Sequence, residues 1–305
     1  MSNRFDECMA VWQQQIDNRI TDMITRESGY PADFADALLY ATVPGGKRLR
    51  PILCLAWHEL FAGVDEYALD YACGIELIHS YSLVHDDMPC MDNDEYRRGK
   101  LTVHKKYGEC MGLLVGDALM DLAYKYLCKP SPRCKKPPLA VTEYSNLLGG
   151  KGLICGQYYD LFGNIKDVDT LIEKVHMQKT AALISLACAS GATLGVSITT
   201  EAEDSLIYST GEDCSPIIRR DYKYLDAPCY ARDFGKAFGV AFQLYDDITE
   251  YLDGENIGKT SVLNYLNLED AKRMLNKYLN DAIKELNGYG DTSFLREFVE
   301  KFIIA

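Results

Sequence analysis

Apolar residues recur along most of this chain at three- and four-residue spacing, the period of a helix with one side turned to a core. Leu69, Ala72, Cys73, Ile75, Glu76, Leu77 and Leu83 trace a helix with more than one buried face. Leu171, Val175, Leu183, Ile184 and Ala187 trace another, and Phe234, Ala237, Phe238, Ala241, Phe242 and Tyr245 a third. Prolines interrupt the pattern at Pro31, Pro44, Pro51, Pro89, the Pro130–Pro138 stretch, Pro216 and Pro228. Alternating strand-like runs bounded by Asn-Gly or Asp-Gly turns are almost absent. The pattern predicts an all-α fold of about ten helices. Ser131–Pro138 reads as an exposed loop, and 204–229 is polar and poorly phased, broken by Gly211, Pro216 and Pro228.

Composition narrows the class. The 305 residues suffice for one large core or two small ones, and 48% hydrophobic with 25% charged is ordinary for a globular protein. A net charge of -13 repels nucleic-acid phosphates, which argues against DNA or RNA as a partner. The 11 cysteines include no Cys-x-x-Cys pair, so thiols in a reducing cytoplasm are expected in place of a disulfide framework or a structural zinc. The charged N-terminal residues Arg4, Asp6 and Glu7 stand where an export signal needs an apolar run. Residues 181–200 carry no charge and approach the length of a membrane span. They are rich in Ser, Thr and Gly, so a buried core helix is expected there, with no transmembrane segment.

Two acidic clusters carry candidate chemistry. Asp86, Asp87, Asp92 and Asp94 lie within nine residues at the end of an apolar helix. Pro89 disfavours helix at the residue before it, so the chain is expected to curl Asp92 back toward Asp86 and Asp87. Asp246, Asp247 and Glu250 follow a second apolar helix, at spacing that places them on one face. Hard cations such as Mg²⁺ take one or two carboxylates and share the rest of their sphere with water and substrate phosphates. A solvated acidic loop and a solvated helix face are the plain alternatives.

Basic residues are few and clustered. Lys47 and Arg50 lie three apart after Gly45-Gly46 at the start of a helical segment, where backbone N–H groups attract phosphate and glycines permit close approach. Arg97, Arg98 and Lys100 follow the first acidic cluster, and Lys179-Thr180 and Gly258-Lys259 add further donors. Acids that hold metal beside bases that hold phosphate suit a diphosphate. Other chemistries lack their parts: there are five histidines, too few around His85-Asp86 for an HD-type phosphohydrolase, and neither a Gly-x-x-x-x-Gly-Lys-[Ser/Thr] loop nor a Gly-x-Ser-x-Gly elbow is present.

With these residues in view, the chain resembles the trans-isoprenyl diphosphate synthases, specifically the bacterial-type farnesyl and geranylgeranyl diphosphate synthases. The likeness rests on Gly45-Gly-Lys-Arg-Leu-Arg-Pro51, the run His79–Asp92, Arg97-Arg-Gly-Lys-Leu-Thr-Val-His104, Gly116-Asp-Ala-Leu119, Gly156-Gln-Tyr-Tyr-Asp160, Lys179-Thr-Ala-Ala-Leu-Ile184 and Phe242-Gln with Asp246-Asp247. It implies one prenyl synthase domain over residues 1–305, an isoprenoid synthase-type helical bundle around a deep central cavity, and a homodimer. It also implies that an allylic diphosphate (dimethylallyl or geranyl) is ionised and joined head-to-tail to isopentenyl diphosphate. By motif position, Asp86, Asp87, Asp92, Asp246, Asp247 and Glu250 would hold three Mg²⁺. Arg97, Lys179, Gln243 and Lys259 would contact the allylic diphosphate, and Lys47, Arg50, His79 and Arg98 that of isopentenyl diphosphate. Thr180 and Gln243 would turn dipoles toward the allylic cation.

Tyr81, five residues before Asp86, would lie about a turn and a half along the helix and act as a floor to the growing chain. The resemblance associates an aromatic there with a farnesyl product; a plain core tyrosine fits the same place. Geranylgeranyl diphosphate, a non-catalytic subunit of a heteromeric synthase, and a class I terpene cyclase are the alternatives. Both acid clusters argue against the second, and Lys47, Arg50 and His79 against the third. Three departures from the family pattern stand out: Glu250 in place of an aspartate, a shortened loop with a single Gly258-Lys259, and the long 204–229 segment.

Overall fold

A computed structural model describes residues 2–27, 29–130, 141–199, 226–254 and 260–304. Ser131–Pro138, residues 204–225 of the polar segment and Lys259 lie outside the described residues. The chain forms two compact units: residues 1–55 with 64–137, and residues 56–63 with 138–305.

The first unit contains α1 (Ser2–Asp22), α2 (Ala32–Thr42), the start of α3 (Leu49–Glu59), α4 (Glu66–Asp86), α5 (Val103–Tyr107) and α6 (Glu109–Leu127). Its axis is α4. Asp65 caps that helix by accepting from the Ala68 N–H at 2.8 Å, and the helix is buried on nearly every side, as the sequence pattern predicts. Gly74 lets α6 approach closely: a Cβ there would lie 3.1 Å from the Leu127 side chain. The buried Asp70 is neutralised by Arg19 of α1 and by Lys129 Nζ at 3.0 Å.

A small antiparallel hairpin, β1 (Tyr96–Arg97) with β2 (Lys100–Leu101), breaks the all-helical pattern. Its two turn residues, Arg98 and Gly99, have φ of +53° and +74°, the geometry of a tight primed turn. Arginine is uncommon at such a position, so no turn signal was visible in the sequence.

The second unit contains α7 (Val141–Leu148), α8 (Leu153–Phe162), a short α9 (Val168–Thr170), a wider π-helical stretch Leu171–Ala181, α10 (Ala182–Thr199), α11 (Ala227–Leu252), α12 (Leu268–Glu285) and α13 (Ser293–Glu300). Pro228 stands in the first turn of α11, where its missing N–H has no helical partner to lose. The phenylalanine stripe of α11 builds an aromatic core: Phe234 stacks on Phe238, and Phe302 meets Phe238, Phe242 and Tyr245 edge-on. The helical run Val168–Val196 is long and apolar enough to cross a membrane, yet its most apolar window is 94% buried inside the protein. Two of its hydroxyls are satisfied internally, Ser185 donating to the Arg232 carbonyl at 2.9 Å and Thr193 to the Ala189 carbonyl at 2.8 Å.

Candidate active site

The first acid cluster begins where α4 ends. The Asp92 N–H donates to the Asp86 carbonyl at 2.9 Å, so the chain does curl back past Pro89. Asn93 takes φ +54° to complete the bend. Asp86 is half-buried and Asp92 exposed, whereas Asp87 is buried and accepts from Arg97 Nε at 2.6 Å. Burial lifts the Asp87 carboxyl to about 6, against the opposing pull of Arg97. Arg97 therefore serves as a counter-ion within the cluster, reaching Asp94 as well at 3.4 Å. The neighbouring Gly116-Asp-Ala-Leu motif has a local explanation too. A Cβ on Gly116 would fall 2.0 Å from the His85 ring, whose Nε2 lies 3.2 Å from the Leu113 carbonyl.

Lys47, Arg50, His79 and Arg98 gather in the same unit. His79 is held well below the usual histidine range, first by burial and then by Arg50, Arg98, Arg97 and Arg48. The Gly45-Gly46 pair has a use other than the phosphate approach expected from the sequence. A Cβ on Gly45 would lie 1.9 Å from Arg48 Cζ, and one on Gly46 2.9 Å from Arg98 Cζ. The glycines make room for two guanidinium groups. An adjoining pocket is lined by Tyr40, Leu83 and Val103 on its apolar side and by Asp87, Arg97 and Arg98 on its polar side. Tyr81, the proposed floor, is buried on α4, its ring edge-on to His85 with centroids 5.9 Å apart.

In the second unit, Asp247 of α11 is buried while Asp246 and Glu250 remain half-exposed, so the three acids do not share one environment. Asp247 Oδ1 accepts from Gln243 Nε2 at 3.0 Å, and Oδ2 from the Val262 N–H at 2.7 Å. The Thr180 hydroxyl donates to Gln243 Oε1 at 2.9 Å, which turns the Gln243 amide nitrogen to Asp247. Burial lifts the Asp247 carboxyl to about 6, while Gln243, Val262 and Ser261 pull it back. His176 lies 3.7 Å away, and burial lowers it to about 4, so it is neutral. Lys179 forms an ion pair with Asp160 of the Gly156-Gln-Tyr-Tyr-Asp motif at 2.6 Å. Gly156 permits this: its Cβ would come 2.2 Å from the Lys179 backbone nitrogen. Both groups belong to the π-helical stretch or its neighbour α8, in keeping with π-turns near functional sites.

Among the described residues, no three His, Cys, Asp or Glu side chains form a ready cage for a metal ion. The donors are all carboxylates, four of the six solvent-reachable, which suits a hard cation that keeps waters and substrate phosphates in its sphere. Sequence reasoning assigned no role to Arg48, His176, Ser261 or Asp160. Asp160 and Arg48 carried a signal, their places in quoted motifs; His176 and Ser261 owe their positions to packing.

The polyprenyl synthetase family profile matches residues 31–212. Geranylgeranyl pyrophosphate synthase 4 of Arabidopsis thaliana is 35% identical over 274 residues, covering 85% of this chain and 67% of the relative. The heterodimeric geranylgeranyl pyrophosphate synthase large subunit 2 of the same plant is 33% identical, covering 93% and 72%. Among solved structures, an FPP/GFPP synthase from Zymomonas mobilis superposes with a TM-score of 0.79 at 30% identity, covering 99% of this chain and all of that one. With this all-α isoprenoid synthase fold and these motifs, the chain belongs to the polyprenyl synthetase family of trans-isoprenyl diphosphate synthases, and it is a prenyltransferase.

Proposed function

We propose that this prenyltransferase condenses dimethylallyl or geranyl diphosphate with isopentenyl diphosphate head-to-tail and releases farnesyl diphosphate. The observation that carries this is the grouping of Arg50 and Arg98 about His79, with the solvent-facing Lys47 on the adjoining loop, which would hold a second, retained diphosphate. A terpene cyclase has no use for such a group. Residues 1–305 act as one prenyl synthase domain in this reading.

The acids divide the work. Asp86, Asp92, Asp246 and Glu250, which solvent reaches, would hold Mg²⁺, with Asp87 and Asp247 as buried charges behind them. When bound, three Mg²⁺ would neutralise the charge on the departing allylic diphosphate. Arg97 and Lys179 contact that diphosphate, and doing so requires them to loosen their pairs with Asp87 and Asp160. Lys259 is assigned the same role. Thr180 and Gln243 orient dipoles toward the allylic cation left by C–O cleavage. The isopentenyl double bond then attacks that carbon, and a proton leaves the new adduct, with the released diphosphate as acceptor. Apolar surroundings keep water from the cation.

Tyr81 sets the product length as the floor. Product chromatography of the wild type should give the fifteen-carbon diphosphate (three five-carbon units), and Tyr81→Ala should shift it to twenty carbons or more. Identical products from both would end the floor assignment. The geranylgeranyl reading draws on the names of the plant relatives, and twenty-carbon product from the wild type would establish it. Incubation of the chain alone with Mg²⁺ and both substrates also tests a subunit role: turnover without a partner chain excludes it, and chelation by EDTA should abolish that turnover. A homodimer is supported by α8, which exposes Ile154, Tyr158, Leu161 and Phe162 on one face. Light scattering after gel filtration should give twice the 34.3 kDa chain mass. A cytoplasmic location is the reading of the 11 scattered cysteines as thiols kept reduced.

A further inference from the structure

The cationic cluster contains one arginine that no ligand can reach. Arg48 stands between Lys47 and Arg50 in the chain, yet it is 3% exposed while Lys47 faces solvent. Its guanidinium is used on every side. Nε donates to Asp17 of α1 at 2.8 Å, Nη1 to Glu76 of α4 at 2.7 Å, and Nη2 to the Thr42 carbonyl at the end of α2 at 2.6 Å. Three helices thus meet on one side chain.

The surrounding backbone is shaped to fit. Arg48 adopts φ +53°, a left-handed conformation that residues with a Cβ rarely take. Gly45 leaves the space that the guanidinium fills, since a Cβ there would overlap it. Gln13 of α1 donates to the Lys47 carbonyl at 3.0 Å, fixing the loop from the other side. Glu76, itself buried, lies one turn before His79 on α4, and its charge also reaches Arg98. Two carboxylates outweigh the single Arg48 charge, so Arg48 serves the ligand by position and not by attraction.

We infer that Arg48, clamped by Asp17 and Glu76, is a positioning residue that sets the Gly45–Arg50 loop and with it the placement of Lys47 and Arg50 for the retained diphosphate. The inference rests on the isopentenyl diphosphate reading of that cluster. Lysine cannot replace Arg48, because a single ammonium does not present a planar fork to three acceptors at once.

The test uses the full chain carrying Arg48→Lys, with folding checked by circular dichroism. Two readouts are taken, amide hydrogen exchange over residues 45–50 and calorimetric binding of isopentenyl diphosphate in EDTA, with KM for the allylic substrate as the control. Exchange in the loop should quicken at least tenfold and the Kd for isopentenyl diphosphate should rise at least tenfold, while KM for the allylic substrate stays within twofold. Asp17→Asn, which leaves the Glu76 and Thr42 bonds, should move both readouts in the same direction by less, and it carries the test if Arg48→Lys does not fold. Wild-type loop exchange in a folded variant overturns the inference, as does an unchanged Kd or an equal loss of both substrates. A wild type that binds no isopentenyl diphosphate would sink the functional reading alone, and the loop exchange would then decide whether Arg48 sets the loop.

Discussion

Single residues in this protein carry roles that their neighbours in the chain do not share. His79 is neutral in the folded state because burial and four arginines oppose its charge. The unfolded chain binds a proton there near the ordinary histidine value of about 6.5, so below that pH the unfolded state holds more protons and the fold loses stability. The loss from this group alone grows as the pH falls below that value. Urea unfolding at pH 7 and pH 5 should therefore show a gap that shrinks in His79→Gln; an unchanged gap would mean that His79 does not titrate in this way. Asp247 offers a second case. Asp247→Ala strands two donors, Gln243 Nε2 and the Val262 N–H, and should cost about 2–4 kcal/mol. Denaturant midpoints equal to wild type would contradict the network.

At the scale of elements, glycine decides how closely helices approach. Gly235 and Gly239 lie one turn apart on α11. A Cβ at Gly235 would fall 2.5 Å from Ser185 Cα, and one at Gly239 2.4 Å from Ala181 Cα. Alanine is the better helix former by about 1 kcal/mol, but here it has no room. Each Gly→Ala change should destabilise by about 1–3 kcal/mol through overpacking, read from urea unfolding; a neutral or stabilising result would refute the close crossing. Gly156→Ala should act likewise between α8 and the π-helical stretch. Because its Cβ meets the Lys179 backbone, KM for the allylic substrate should rise more than KM for isopentenyl diphosphate. Equal changes would place the effect elsewhere.

For the whole molecule, the thiols give a global readout of packing. Cys90 and Cys110 are exposed, whereas Cys54 and Cys73 are buried. Burial raises the Cys54 and Cys73 thiols far above their usual range, so they remain protonated and unreactive at mildly alkaline pH. Thiol-reactive dye at pH 8.5 should label Cys90 and Cys110 in the native state, with Cys54 and Cys73 labelled only on unfolding. Early labelling of Cys54 would show that α3 opens locally. The same packing settles the uncharged run near residues 181–200, whose helix is covered by protein on 94% of its apolar window.

The sequence by itself determined the helical class, through three- and four-residue apolar spacing, and marked the two acid clusters as candidate sites, through their density of like charges. It also singled out the candidate phosphate-holding residues, because basic residues are rare enough in a chain of net charge -13 for their clustering to carry information. Only the tertiary structure separated residues that read alike in the chain. Asp246 and Asp247 are adjacent carboxylates, yet one is half-exposed and the other is buried and doubly hydrogen-bonded. Arg48 and Arg50 are two positions apart, and one is clamped between three helices. Burial and partnership arise from residues distant in sequence, such as Asp17, Glu76 and Val262, and no local pattern encodes which of two like neighbours will meet them.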